Sequence, residues 1–159
     1  FRIYTNSDVI GVELGGSLKN IIAIACGVCD GLGFGTNTKA AILTRGLTEM
    51  ARLGKALGAK VRTFFGLSGL GDLVTTCFSP QSRNRSVGEQ LGKGKNIHQI
   101  TSAMSMIAEG VPTTKAIFHL SQRLHIPMPM MTEVYNIIYK LKKPLRAVED
   151  LMSRKIKAE

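Results

Sequence analysis

Lys19 is the residue most ready for chemistry. With Asn20 beside it, it sits in Gly11–Gly33 (GVELGGSLKNIIAIACGVCDGLG), where no other charged side chain lies between Glu13 and Asp30. An ammonium in apolar surroundings loses hydration, which lowers its pKa and lets it exchange a proton near neutral pH. Lys19 is therefore a candidate general acid/base. A lysine whose stem packs while its ammonium reaches water fits the segment equally well.

Two further stretches carry usable groups. GLSGLGD at 66–72 brings the Asp72 carboxylate to a predicted helix start, followed by the hydroxyls of Thr75 and Thr76. Capping of open amides would by itself explain an aspartate there. Gln81-Ser82-Arg83-Asn84-Arg85 sets a hydroxyl, two guanidiniums and an amide at another predicted helix start. Free backbone amides, the positive end of the helix dipole and a forked guanidinium together suit a phosphate, and a solvated, capped helix start is the alternative.

Other motifs read as structure. Cys26-Gly-Val-Cys29 resembles half of a zinc site, but Cys77, His98, His119 and His125 do not supply the remaining ligands at suitable spacing, so no metal is expected. Core packing accounts for the cysteines. The glycine clusters at 31–35 and 66–71 lack the three spaced glycines and the strand-to-helix setting of a dinucleotide fingerprint, and read as tight turns.

These groups need helices to hold them. Ile21–Cys29 is apolar on every face, so its helix must be enclosed, while Gly15 and Gly16 would let a backbone or a ligand come close. Thr36–Gly58 has apolar residues at Leu43, Leu47, Met50 and Leu57, spaced near 3.6, and reads as an amphipathic helix. Shorter helices follow around Arg62–Phe65 and from Asp72 through Thr76. Others are predicted over Ser82–Leu91, stopped at Gly92, and over Asn96–Ile107. Pro112–His125, Thr132–Leu141 and Pro144–Lys157 complete the set, with IPMPMM a non-helical connector. Phe1–Tyr4 is the only candidate strand. The expected architecture is one all-α domain over residues 1–159, a multi-helix bundle with no repeat and no linker.

Composition narrows the setting. Hydrophobic content of 44% with 20% charged residues is ordinary for a globular protein, and the longest apolar run, roughly nine residues, is too short to span a membrane. The opening FRIYTNSD has neither an initiator methionine nor a secretory signal, and Phe1 reads as the start of a fragment. Three cysteines favour a reducing, cytoplasmic location. A net charge of +10 points to anionic partners: nucleic acid, acidic lipid or phosphorylated small molecules. Its carriers are scattered, with small clusters at Arg83/Arg85, Lys93/Lys95 and Lys142/Lys143. A basic helical module binding nucleic acid would show a stripe instead, so no nucleic-acid partner is expected.

Taken in order, LGGSLKNIIAIACGVCDGLGFGTNTKAAILTRGLTEM, GLSGLGDLVTTC, QSRNR and AEGVPTTK resemble the C-terminal domain of bacterial NAD(P)-dependent glycerol-3-phosphate dehydrogenases, over essentially the whole chain. The resemblance implies a helical substrate domain like that of 6-phosphogluconate dehydrogenase. It also implies a Rossmann domain, absent from this chain, that holds most of the NAD or NADP. It assigns Lys19 as the catalytic lysine and Asn20 as a substrate contact. Asp72 becomes a substrate-site carboxylate orienting Lys19, and Thr76 lines the same site in related eukaryotic enzymes. Ser82, Arg83 and Asn84 take the substrate phosphate, and Arg83, Ile107 and Glu109 reach the cofactor. It further implies a homodimer serving phospholipid precursor synthesis. A related dehydrogenase acting on a hydroxy acid is the nearby alternative, against which the phosphate-suited QSRNR argues.

Overall fold

The computed structural model describes residues 2–104 and 106–155. Because Ile21–Cys29 offers no polar face, the helix containing it has to be surrounded, and the bundle is built around it. Helix α1 (Val9–Gly31) buries every residue from Asn20 to Cys29. By length and composition α1 could cross a membrane, with a mean hydropathy of 1.5 over its most apolar window. Its apolar faces are instead covered by α2 (Thr36–Ala56), α3 (Asp72–Phe78), α4 (Arg83–Gly92), α6 (Gly110–Arg123) and α7 (Pro129–Tyr139). Burying side chains such as Ile21, Ile22 and Ile24 contributes about 1.5–3 kcal/mol apiece. Two short helices, α5 (Ile97–Ser102) and α8 (Pro144–Met152), complete an all-α fold with no strand among the described residues.

Asp8 starts α1. Its carboxylate accepts hydrogen bonds from the Gly11 amide (3.0 Å), the Lys60 amide (2.8 Å) and the Thr63 hydroxyl (2.6 Å). The Thr63 hydroxyl above all, with the two amides, holds this carboxyl below the usual aspartate range. One side chain thus caps α1 and ties it to the 3-10 turn Val61–Phe65. That turn leads into a wide π-type turn, Leu67–Gly71, which runs directly into α3.

The α1–α4 crossing rests on glycines. A Cβ on Gly27 would lie 1.9 Å from the Arg85 carbonyl oxygen, and one on Gly88 2.0 Å from that of Ile24. The two backbones therefore touch directly. Alanine at position 88 would gain about 1 kcal/mol on an open helix face, yet here it meets main chain. We expect Gly88→Ala to lower stability by about 1–3 kcal/mol through overpacking. A urea midpoint that stays put or rises would show that the helices are not in this contact.

Cys26, Cys29 and Cys77 are all buried in this core. Burial, with Cys26 and Asp30 adding to it, pushes the Cys29 thiol up to about 11. Hydrogen bonding with Cys26, then burial, pushes the Cys77 thiol well above its ordinary value. Because the thiolate is the reactive form and all three sulfurs, Cys26 included, are shut away from reagent by burial, native protein at pH 8 should leave them unmodified by iodoacetamide, with labelling only after denaturation. Peptide mass spectrometry checks this, and prompt native labelling of Cys29 would contradict it.

The elements differ from expectation in several places. Helix α5 ends at Ser102 rather than Ile107, because only Ile97 and Ile100 anchor it; Met106 and Ile107 are exposed, and Ser105 of the expected helix lies outside the described residues. IPMPMM is not wholly a connector: α7 begins at Pro129, so Met130 and Met131 form its buried first turn. Their amides donate to the Glu49 carboxylate of α2 at 2.8 and 3.1 Å. Burial pushes Glu49 above the usual glutamate range, and those two amide bonds oppose the shift. At the far end α8 stops at Met152; of the expected continuation, Ile156 and Lys157 lie outside the described residues, as does Phe1 of the candidate strand. Arg2–Tyr4 is not a strand.

Candidate functional site

On α1 the residues Gly16, Lys19 and Asn20 are spaced i, i+3, i+4 and share one face. The turn preceding α3 reaches that face because Gly15 has no side chain: a Cβ there would sit 2.5 Å from the Ser68 carbonyl oxygen. The close approach brings Asp72 to Lys19. Lys19 Nζ pairs with Asp72 Oδ2 at 2.5 Å, and the Thr76 hydroxyl donates to the Asp72 main-chain carbonyl at 2.7 Å and lies 3.2 Å from Asp72 Oδ1. The lysine neither extends into bulk water nor lacks a counter-charge.

Asp72 does not cap a helix. The preceding turn continues into α3, Gly71 itself has helical dihedrals, and no side chain caps the junction. Its carboxylate is turned instead toward Lys19. With the two side chains 20% and 38% exposed, the pair contributes little to stability. Its effect is to hold the ammonium in place.

The opposite wall is the start of α4. Ser82 caps it, its hydroxyl accepting from the Arg85 amide at 3.3 Å. The amides of Arg83 and Asn84, in the first turn, have no intrahelical acceptor. Arg83 is exposed, whereas Asn84 is buried and bridges two helices. Its Nδ2 donates to Asn20 Oδ1 (2.9 Å), and its Oδ1 accepts from the Gly110 amide at the start of α6 (2.8 Å). One cavity of about 380 Å³ lies between these walls, bordered by Lys19, Asn20, Thr76, Ser82, Arg83, Asn84 and Glu109. Asp72 does not itself border the cavity and reaches it only through its pairing with Lys19. The arrangement offers a positioned ammonium at one side and, at the other, a helix N-terminus with a guanidinium suited to a dianionic group.

Not every expected residue is gathered here. Ile107 is exposed in a separate apolar hollow of about 170 Å³ with Met104, Met106, Val111 and Pro112. Gly16, Thr75, Ser79 and Gln81 also border the main cavity, although none was assigned a substrate contact. Ser79 carried no signal in the sequence. The Thr75 hydroxyl donates to the Gly71 carbonyl.

A set of charges supports the α4 wall from behind. Asp30, at the end of α1, pairs with Lys39 at 2.9 Å and with Arg85 at 2.7 Å, and Lys39 Nζ lies 4.7 Å from the centre of the Phe78 ring. Phe78 ends α3, so the segment from Ser79 to Ser82 is held at both ends. Of the two guanidiniums expected at this helix start, only Arg83 borders the cavity, because Arg85 is drawn to Asp30, a partner 55 residues away in the chain. Among the described residues no three histidine, cysteine or acidic side chains are grouped to hold a metal ion.

Known proteins with this sequence and shape agree with one another. Residues 8–149 match the family model described as NAD-dependent glycerol-3-phosphate dehydrogenase C-terminus. Glycerol-3-phosphate dehydrogenases (NAD(P)+) from Citrifermentans bemidjiense and Solidesulfovibrio magneticus are 55% and 57% identical over all 159 residues. The chain spans about half the length of these curated relatives, 48% of each. The crystal structure of glycerol-3-phosphate dehydrogenase from Coxiella burnetii superposes with a TM-score of 0.93 at 47% identity, covering 97% of this chain and 47% of that one. The Saccharomyces cerevisiae enzyme superposes at 0.84 with 29% identity, covering 92% and 43%. By sequence over nearly its whole length and by the course of its helices, the chain belongs to the C-terminal family of NAD-dependent glycerol-3-phosphate dehydrogenases.

Proposed function

We propose that this chain is the substrate-binding and catalytic half of an enzyme interconverting sn-glycerol 3-phosphate and dihydroxyacetone phosphate with NAD or NADP. The observation that carries this is the Lys19–Asp72 pair facing the Ser82–Asn84 helix start across one cavity. When bound, NAD(P)H would supply the hydride that the carbonyl carbon takes in reduction. Lys19 gives the proton that the carbonyl oxygen needs as it becomes an alkoxide, and takes it back from the alcohol in oxidation. Asp72 aims the ammonium and balances its charge. Thr76 lines the substrate side of the cavity, its hydroxyl donating to the Asp72 main-chain carbonyl, and Asn20 fixes the substrate beside Lys19. The Ser82 hydroxyl, the Arg83 guanidinium and the Asn84 amide receive the phosphate at the helix N-terminus.

Cofactor contact from this side falls to Arg83 and Glu109 at the cavity rim and to the exposed Ile107. Their outward placement suits a dinucleotide presented from another domain, and the greater length of the relatives supports an N-terminal Rossmann domain that holds it. Three free cysteines fit a cytoplasmic location, and a homodimer making phospholipid precursor completes the picture.

The test compares dihydroxyacetone phosphate with dihydroxyacetone and with non-phosphorylated keto acids in the full-length enzyme. A kcat/KM favouring the phosphorylated ketone by about 10² or more is expected from several charged hydrogen bonds. Preference for a non-phosphorylated keto acid would overturn the assignment.

A further inference from the structure

Gly16 has no structural reason to be glycine. It is the eighth residue of a 23-residue helix, where glycine is unfavourable relative to alanine. Its neighbour Gly15 is explained by the Ser68 carbonyl pressed against it, and Gly27 and Gly88 by opposing main chain. An added Cβ at Gly16 meets nothing within 4 Å. The space it would enter is the cavity that holds Lys19. Omitting a side chain there does nothing for the packing of this chain. It leaves bare helix backbone facing whatever occupies the cavity.

Position along α1 indicates which part of the occupant arrives there. Asn20 is bonded to Asn84 and so marks the phosphate end. Gly16 lies one turn earlier, about 6 Å along the axis, with Lys19 on the same face between the two. A three-carbon phosphate ester gripped at the α4 start, its central carbon at Lys19, extends its other end toward Gly16. We propose that Gly16 is a specificity-determining residue that receives the unphosphorylated terminus of the substrate, an inference that rests on the function proposed above.

The full-length enzyme carrying Gly16→Ala or Gly16→Leu tests this. The alanine variant should melt about 1–3 °C higher, as for a helical glycine replaced without a clash. With leucine, KM for dihydroxyacetone phosphate should rise at least about tenfold, the discrimination that a methylene's worth of misfit produces in a fitted pocket. KM for NADPH should stay within about twofold of wild type, since the substitution fills substrate space. A leucine variant with unchanged substrate KM, or one whose cofactor KM rises in its place, overturns the role of Gly16. Should the leucine variant not fold, the alanine variant decides: a raised substrate KM with a raised melting point supports the role, and an unchanged KM ends it. Wild-type enzyme that ignored dihydroxyacetone phosphate would instead remove the functional reading itself.

Discussion

Lys19→Ala in the full-length enzyme is expected to lower kcat by about 10²–10⁴, the usual contribution of a positioned general acid/base. Hydride arriving at a carbonyl carbon leaves charge on the oxygen, and Lys19 is the one ammonium bordering the cavity among the described residues. Water could donate the proton in its absence, but without orientation. The domain should stay folded, because the lysine's partner Asp72 has a side chain 38% exposed and is hydrated once the ammonium is gone. Circular dichroism and melting temperature close to wild type, with KM for the phosphorylated substrate little changed, would separate lost chemistry from lost structure. Near-wild-type kcat would remove Lys19 from the proton transfer.

Arg83→Ala should act on binding. A guanidinium hydrogen-bonded to a phosphate is worth about 1.5–3 kcal/mol, so KM for dihydroxyacetone phosphate should rise by about 10–100-fold. Arg83 is exposed and belongs to no ion pair among the described residues, so its loss disturbs little within the fold. Affinity for NAD(P)H should fall less if, as proposed above, an N-terminal domain holds most of the dinucleotide. Unchanged substrate KM would transfer the phosphate grip to Ser82 and the first amides of α4.

How far the sequence could be read depended on whether a residue's partner was near it in the chain. Ile21–Cys29 declared an enclosed helix by having no polar face, and the Ser82 cap was visible because its acceptor serves an amide three residues on. The start of α7 was hidden because the carboxylate that caps Met130 comes from Glu49, 81 residues away. Asp72 read as a local cap for the same reason: the lysine that takes its carboxylate lies 53 residues earlier. Gly27 and Gly31, like Gly88 and Gly92, are spaced four apart, so each pair lies on one helix face. Nothing in the sequence said that each pair faces the other. The Asp30–Lys39–Arg85 group was missed because three charges scattered over 55 residues look like solvated surface. Most of the candidate site came from matching motifs, and the fold then brought Lys19, Asn20, Thr76, Ser82, Arg83, Asn84 and Glu109 to one cavity while leaving Ile107 apart.

The most direct measurement is NADPH oxidation by the full-length enzyme with and without dihydroxyacetone phosphate, repeated with Lys19→Ala. Oxidation that requires the phosphorylated ketone and is abolished or cut by orders of magnitude in the variant is the predicted result. Oxidation independent of that ketone, or undiminished without Lys19, would contradict the account.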